Sequence, residues 1–263
     1  MTTQRGFTLI EMAIVLVIIT FLVGGLIMPL SAQIQARRNS ETKQILEEAR
    51  EAIIGYAMTH AVDDDSDSNT TPITYLPCPD SDDDGVVDGH ENRNSDGTCV
   101  ENAGFFPWVD LGVASKDAWG NRLRYAVSDF GEMQVVPGPK KGFSACGSLT
   151  TTMPTPLVIC SSYNCTSASP DIADKVAFVL VSHGPNSRGA RNVNLENNSP
   201  TPAPPPGTSN NELRNLDADE RYVSRLPTKS DDETNGEFDD LVVWVSGTQL
   251  VGRIFSGTTS GCP

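Results

Sequence analysis

At 263 residues the chain is long enough for one or two domains, and 34 acidic against 19 basic residues leave a formal charge of -15. So acidic a chain lacks the basic face that releases counterions from phosphates, which excludes nucleic acid as a partner; dense acid suits cations or a solvated surface. Six cysteines (Cys78, Cys99, Cys146, Cys160, Cys165, Cys262) make no CxxC or zinc-ligand spacing, and His60, His90 and His183 are scattered. Disulfides in an oxidising compartment are therefore expected, rather than zinc or a redox dithiol.

From Phe7 to Met28 the chain carries one charge, Glu11, among apolar, Thr and Gly residues. Those 22 residues make a helix of about 33 Å at ~1.5 Å per residue, enough for a bilayer core of ~30 Å. A secretory signal peptide fits poorly. Its apolar region is usually ~7–15 residues and ends at a small-x-small site, and Leu30-Ser31-Ala32 and Ile34-Gln35-Ala36 lack the outer small residue. A plain anchor fits no better, because a carboxylate in the membrane costs on the order of 2.5–3.5 kcal/mol and needs a partner. Gly24-Gly25 and Pro29 should loosen the helix near its exit from the membrane.

The run Gly6-Phe7-Thr8-Leu9-Ile10-Glu11 resembles the class III signal of type IV prepilins and type II secretion pseudopilins. The resemblance implies that prepilin peptidase cuts between Gly6 and Phe7 and methylates the new terminus. It implies that Glu11 pairs with the Phe7 ammonium of a neighbouring subunit in a filament. It implies an α+β, pilin-like fold, a long N-terminal helix packed on an antiparallel sheet. The expected divisions are a leader over 1–6, a transmembrane and filament-core helix over 7–30, an amphipathic helix over 31–60 and a head over 61–263. Loss of the leader removes Arg5 and no acid, leaving -16. The head is expected in the periplasm or on the cell surface, anchored by a single pass in the bacterial inner membrane. Arg37-Arg38 run mildly against the positive-inside rule, so this orientation rests on the resemblance.

Over 31–60, Ile34, Ile45, Ala49, Ala52, Ile53, Tyr56 and Ala57 form a stripe near the 3.6-residue period, predicting a helix face packed under a sheet. Residues 61–121 are rich in Asp, Ser, Asn and Gly and read as a long ordered loop. Within it, Asp80-Ser81-Asp82-Asp83-Asp84-Gly85-Val86-Val87-Asp88-Gly89-His90-Glu91 matches the EF-hand loop pattern at every specified position. Asp80, Asp82, Asp84, the Val86 carbonyl, Asp88 and Glu91 are the expected ligands of one Ca2+, with Gly85 at the sharp turn. No flanking helices are evident, so the loop reads as one set into another fold, bracketed by a possible Cys78–Cys99 link. The alternative is a solvated acidic patch. Asp117-Ala118-Trp119-Gly120-Asn121 resembles the corresponding turn of the major pseudopilin, with Trp119 placed to plug the sheet against the helix.

Strands are predicted at Arg122–Val127, Glu132–Val136, Pro156–Cys160, Lys175–Ser182, Asp240–Val245 and Thr248–Phe255, the last two as a hairpin about Ser246-Gly247. Cys160 and Cys165 are close enough to cross-link a tight loop; the pairing among Cys146, Cys160, Cys165 and Cys262 stays open. Residues 183–239 form a second irregular segment holding the Pro-rich Ser199–Gly207 and the acids Asp231-Asp232-Glu233. Major pseudopilins hold calcium between their last strands, and the resemblance makes Asp239 or Asp240 a second candidate. No nucleophile elbow or phosphate loop appears, so an enzyme is not expected. The expected function is a structural subunit of a type II secretion pseudopilus or a type IV pilus, held by calcium and disulfides. An adhesive or initiating minor pilin is the alternative.

Overall fold

The structure, a computed structural model, describes residues 6, 8–62, 73–81, 87–95, 97–128, 157–194, 210–217, 219–229 and 236–255, with the backbone course alone for 23–30, 61, 62, 73 and 255. The chain divides into two compact units, Met1–Glu41 and Thr42–Pro263. The expected strand Glu132–Val136, the Pro-rich Ser199–Gly207, Asp231-Asp232-Glu233, Cys146 and Cys262 lie outside the described residues.

Helix α1 runs from Leu9 to Thr59 and is continuous through Gly24-Gly25 and Pro29, where loosening was expected. Leu9, Ile10, Met12 and Ile14–Ile19 are all about half exposed or more. Among the described residues no helix is long and apolar enough to cross a membrane. In the second unit, α1 buries Thr42, Leu46, Ala49, Ile53 and Ala57, steps of three and four that keep one face turned to the core. Leu46 was not in the predicted stripe; Ile34 was, and is 45% exposed.

Two short strands, β1 (Ala61–Val62) and β2 (Ile73–Thr74), pair with each other. The main sheet holds β3 (Ala103–Phe105), β4 (Arg124–Val127), β5 (Leu157–Cys160), β6 (Ala173–Ser182), β7 (Arg221–Val223) and β8 (Leu241–Ser246). Its order is β3-β4-β6-β5-β7, with β8 paired to β6. The pairings are antiparallel except β5 with β7, which is parallel, so the antiparallel sheet expected from the sequence is a mixed one dominated by antiparallel pairs. β6 is central because its run Val176–Val181 is apolar on both faces. Phe178 and Leu180 join Leu46, Ile53 and Tyr125 under α1, while Val176, Val179 and Val181 form a second cluster with Leu157, Ile159 and Tyr222. Each fully buried side chain of this size contributes on the order of 1.5–3 kcal/mol.

The expected second strand of the last hairpin is instead a helix, α3 (Gly247–Phe255). Ser246 and Gln249 explain the difference. The Gln249 N–H donates to Ser246 Oγ and the Ser246 N–H donates to Gln249 Oε1, both at 3.3 Å. This reciprocal capping box satisfies two otherwise orphaned donors and starts a helix where Ser-Gly read as a turn. α3 then buries Leu250 and ties Arg253 to Glu51 of α1 at 2.6 Å. The segment read as loop 61–121 holds β3 and the short helix α2 (Trp108–Leu111), and 183–239 holds β7. Trp108, not Trp119, packs against the helix–sheet core; Trp119 is half-buried at a turn. Gly120 turns there at φ +91°, and Asp117 Oδ1 accepts the N–H groups of Trp119 and Asn121.

Candidate functional site

Where β6 ends, Ser182-His183-Gly184 brings the chain against the start of β8. Gly184 has φ +58°, and a Cβ on it would lie 2.3 Å from the Asp239 carbonyl oxygen, so only glycine allows this approach. The loop that follows gives the Asn186 N–H to Asp239 Oδ2 at 3.0 Å and the Asn186 amide to Glu212 Oε1 at 2.8 Å. Glu212 opens a 3-10 turn, Glu212–Asn215, and its Oε1 also accepts the Asp239 N–H at 3.1 Å. Asn215 donates to Asp240 Oδ2 at 2.7 Å and accepts the N–H of Val223 in β7 at 2.8 Å.

The result is a carboxylate cluster of Glu212, Asp239 and Asp240, each with a ligand atom within 4.8 Å of the others'. That spacing fits oxygens on one calcium sphere of radius ~2.3–2.6 Å. Asp240 is 4% exposed, and its Oδ1, like Asp239 Oδ1, is buried without a hydrogen-bond partner. His183, fully buried, places Nδ1 3.4 Å from Asp240 Oδ1. Burial first, and then the Asp240 charge, push Glu212 up to about 8. Burial pushes Asp239 up to about 7 against the Asn186 N–H that holds it down, with the Asp240 charge adding to the rise. A buried cluster that raises both Glu212 and Asp239 is a poor structural motif alone and a good one around a hard cation. The donors fit calcium.

The other acidic stretch is arranged differently. Asp80 is buried, its backbone pairs with Phe105, and its Oδ2 accepts the Gly89 N–H at 2.7 Å. Val87 is buried, and exposed Asp88 caps the His90 N–H at 2.9 Å. Gly89 sits at φ +88° against the Trp108 ring. Glu91 is bonded within the protein: Oε1 accepts the Tyr56 hydroxyl at 3.1 Å, and Oε2 accepts the Cys78 N–H at 2.8 Å and Arg93 at 2.7 Å. Asp82, Asp84 and Val86 lie outside the described residues. Among those that are described, Asp80, Asp88 and Glu91 do not form a ligand group of the kind Glu212, Asp239 and Asp240 make. The bracketing disulfide Cys78–Cys99 is formed, and so is Cys160–Cys165.

At the other end of the chain Gly6 is exposed and Phe7 lies outside the described residues. Thr8 caps α1: its N–H and hydroxyl both donate to Glu11 Oε2 at 2.8 Å, and the Glu11 N–H donates to Thr8 Oγ1 at 3.3 Å. This is again a capping box. Beyond it the helix shows an exposed apolar surface. Residues 1–27 match the prokaryotic N-terminal methylation motif. That motif is the type IV pilin and pseudopilin signal, and it spans Gly6, Phe7 and Glu11. No curated protein and no solved structure matches the chain.

Outside this pilin-type segment the reasoning from sequence reached Asp239 and Asp240 but not Glu212, Asn186, Asn215 or His183. Glu212 stands 27 residues before Asp239 in a segment without periodicity, and no spacing rule joins the two.

Proposed function

We propose that this chain is a processed structural subunit of a filament, of the type II secretion pseudopilus or type IV pilus kind. The observation that carries the reading is the methylation motif over 1–27, leading into the first turns of α1, whose exposed apolar surface carries a single acid up to Met28, Glu11. Prepilin peptidase cleaves after Gly6 and methylates Phe7; the apolar segment over 7–30 holds the subunit in the bacterial inner membrane. On assembly Glu11 gives up its Thr8 partners for the Phe7 ammonium of a neighbouring subunit, a trade that keeps a buried carboxylate paired. The head presents its surface in the periplasm or outside the cell. A calcium ion at Glu212, Asp239 and Asp240 locks its late segments together, supported by the unpartnered buried oxygens of Asp239 and Asp240. The acidic loop Asp80–Glu91 is the second calcium candidate.

Two measurements test this. Mass spectrometry of the mature protein should find methylated Phe7 as its first residue; an intact Met1 overturns the filament reading. Deletion of the gene should abolish secretion with pili intact for a pseudopilin, or piliation with secretion intact for a minor pilin. Neither loss would exclude both machines.

A further inference from the structure

The loop closed by Cys160 and Cys165 has no place in the assembly reading, yet it touches every segment that carries a ligand of the carboxylate cluster. Within it, the Tyr163 N–H donates to Asn211 Oδ1 at 2.7 Å, and the Arg214 guanidinium stacks 3.9 Å over the Tyr163 ring. Asn211 and Arg214 flank Glu212, and the Asn211, Glu212 and Asn215 side chains are all buried. On the other side, Cys160 lies in a small apolar cluster with Val158, Val223 and Phe238, against which Cys165 packs. Phe238 immediately precedes Asp239. A third link runs through β7: Cys160 is in parallel register with Val223, whose N–H holds the Asn215 side chain that in turn holds Asp240. The base of the loop is fixed by Asp171, which accepts both the backbone N–H and the hydroxyl of Ser161.

We propose that the Cys160–Cys165 disulfide is the positioning element of the cation site, so that the site reaches full calcium affinity only in the oxidised protein. The proposal rests on the calcium reading of Glu212, Asp239 and Asp240. Groups that orient metal ligands from behind typically govern ~10–100-fold in affinity, and the disulfide loop reaches both ligand-bearing segments, at Asn211 before Glu212 and at Phe238 before Asp239, and reaches Asp240 a second time through Asn215. Reduction by a dithiol breaks the Sγ–Sγ bond; two electrons and two protons pass to the cysteines as thiols while the reductant closes into its own cyclic disulfide. The freed loop regains backbone freedom and no longer holds Tyr163 against Asn211 and Arg214. In an oxidising compartment the bond forms once, after the head has crossed the membrane, so the cation locks heads that are already outside.

The test is calcium titration by calorimetry on the full chain in detergent, oxidised and then reduced with a dithiol, beside two variants. Cys160→Ser/Cys165→Ser removes the bond. Tyr163→Ala keeps both cysteines and removes the contact to Arg214, covering the case in which the double variant fails to fold. Reduction and the double variant should each weaken Glu212-dependent calcium binding about tenfold or more, and Tyr163→Ala should weaken it severalfold. Cys78→Ser/Cys99→Ser should leave it unchanged. Glu212-dependent binding that survives reduction and Tyr163→Ala at full affinity overturns the positioning role and leaves the calcium site standing. Oxidised protein with no binding that Glu212→Gln abolishes overturns the calcium site, and this proposal with it.

Discussion

Raising the pH in the presence of a chelator should destabilise the head, and Glu212 should be the main cause. An acid whose pKa rises on folding keeps its proton in the folded chain where the unfolded chain has lost it. Its stabilisation is therefore complete below the unfolded value and drains as pH climbs toward the folded one. For Glu212 that window runs from 4.5 to about 8, and for Asp239 from 3.8 to about 7. Between pH 5 and 8 Glu212 alone crosses nearly its whole window, about 3 units at ~1.4 kcal/mol each. The two acids share one repulsion, so their shifts are not summed, and halving for solvent screening leaves about 2 kcal/mol. For a chain of this size that is about 4–8 °C in melting temperature. His90, raised by its bond to Asp110, loses stabilisation in the same direction. Glu51 and Asp171 are shifted downward and act only at lower pH. The assay is thermal unfolding of the full chain in detergent with chelator, at pH 5 and 8, for wild type and Glu212→Gln. The variant should lose most of the slope while His90 keeps its share, and saturating calcium should remove the wild-type drop at pH 8. Equal slopes in wild type and variant would refute the assignment.

Three further outcomes follow from single contacts. Gly89→Ala should cost about 2–4 kcal/mol, because it combines a left-handed backbone with a Cβ 2.2 Å from the Trp108 ring; denaturant unfolding would expose a change below 1 kcal/mol, and with it an error in this packing. Ser246→Ala should cost ~1 kcal/mol and loosen α3, read as faster amide exchange over 247–255 with β8 unaffected. Glu91→Gln should cost about 1–3 kcal/mol by weakening the charged bond to Arg93 that anchors the loop, with calcium affinity at the Glu212 site unchanged on titration.

Much of this protein is legible along the chain because the physics involved is local. The capping pattern Thr8-x-x-Glu11, the apolar run behind it and the steps that bury Ala49, Ile53 and Ala57 depend on residues within one or two helical turns. β6 is legible for the same reason: six consecutive apolar residues from Val176 to Val181 suit only a strand covered on both faces. Cys78 with Cys99 and Cys160 with Cys165 are near neighbours in sequence and closed as the spacing allowed. Ser246-x-x-Gln249 was equally local, and the helix it starts was hidden by a β-rich composition.

The remainder was decided by tertiary structure. The Glu91 carboxylate meets the Tyr56 hydroxyl, 35 residues away in sequence, only once α1 packs beside the loop. β7 pairs in parallel with β5 across a long intervening segment, which no period records. Glu212 gains its raised pKa and its place beside Asp239 and Asp240 only when β6, the 3-10 turn and β8 meet at Gly184. A carboxylate's role follows from what surrounds it, and the groups that surround these three are brought from far along the chain by the sheet.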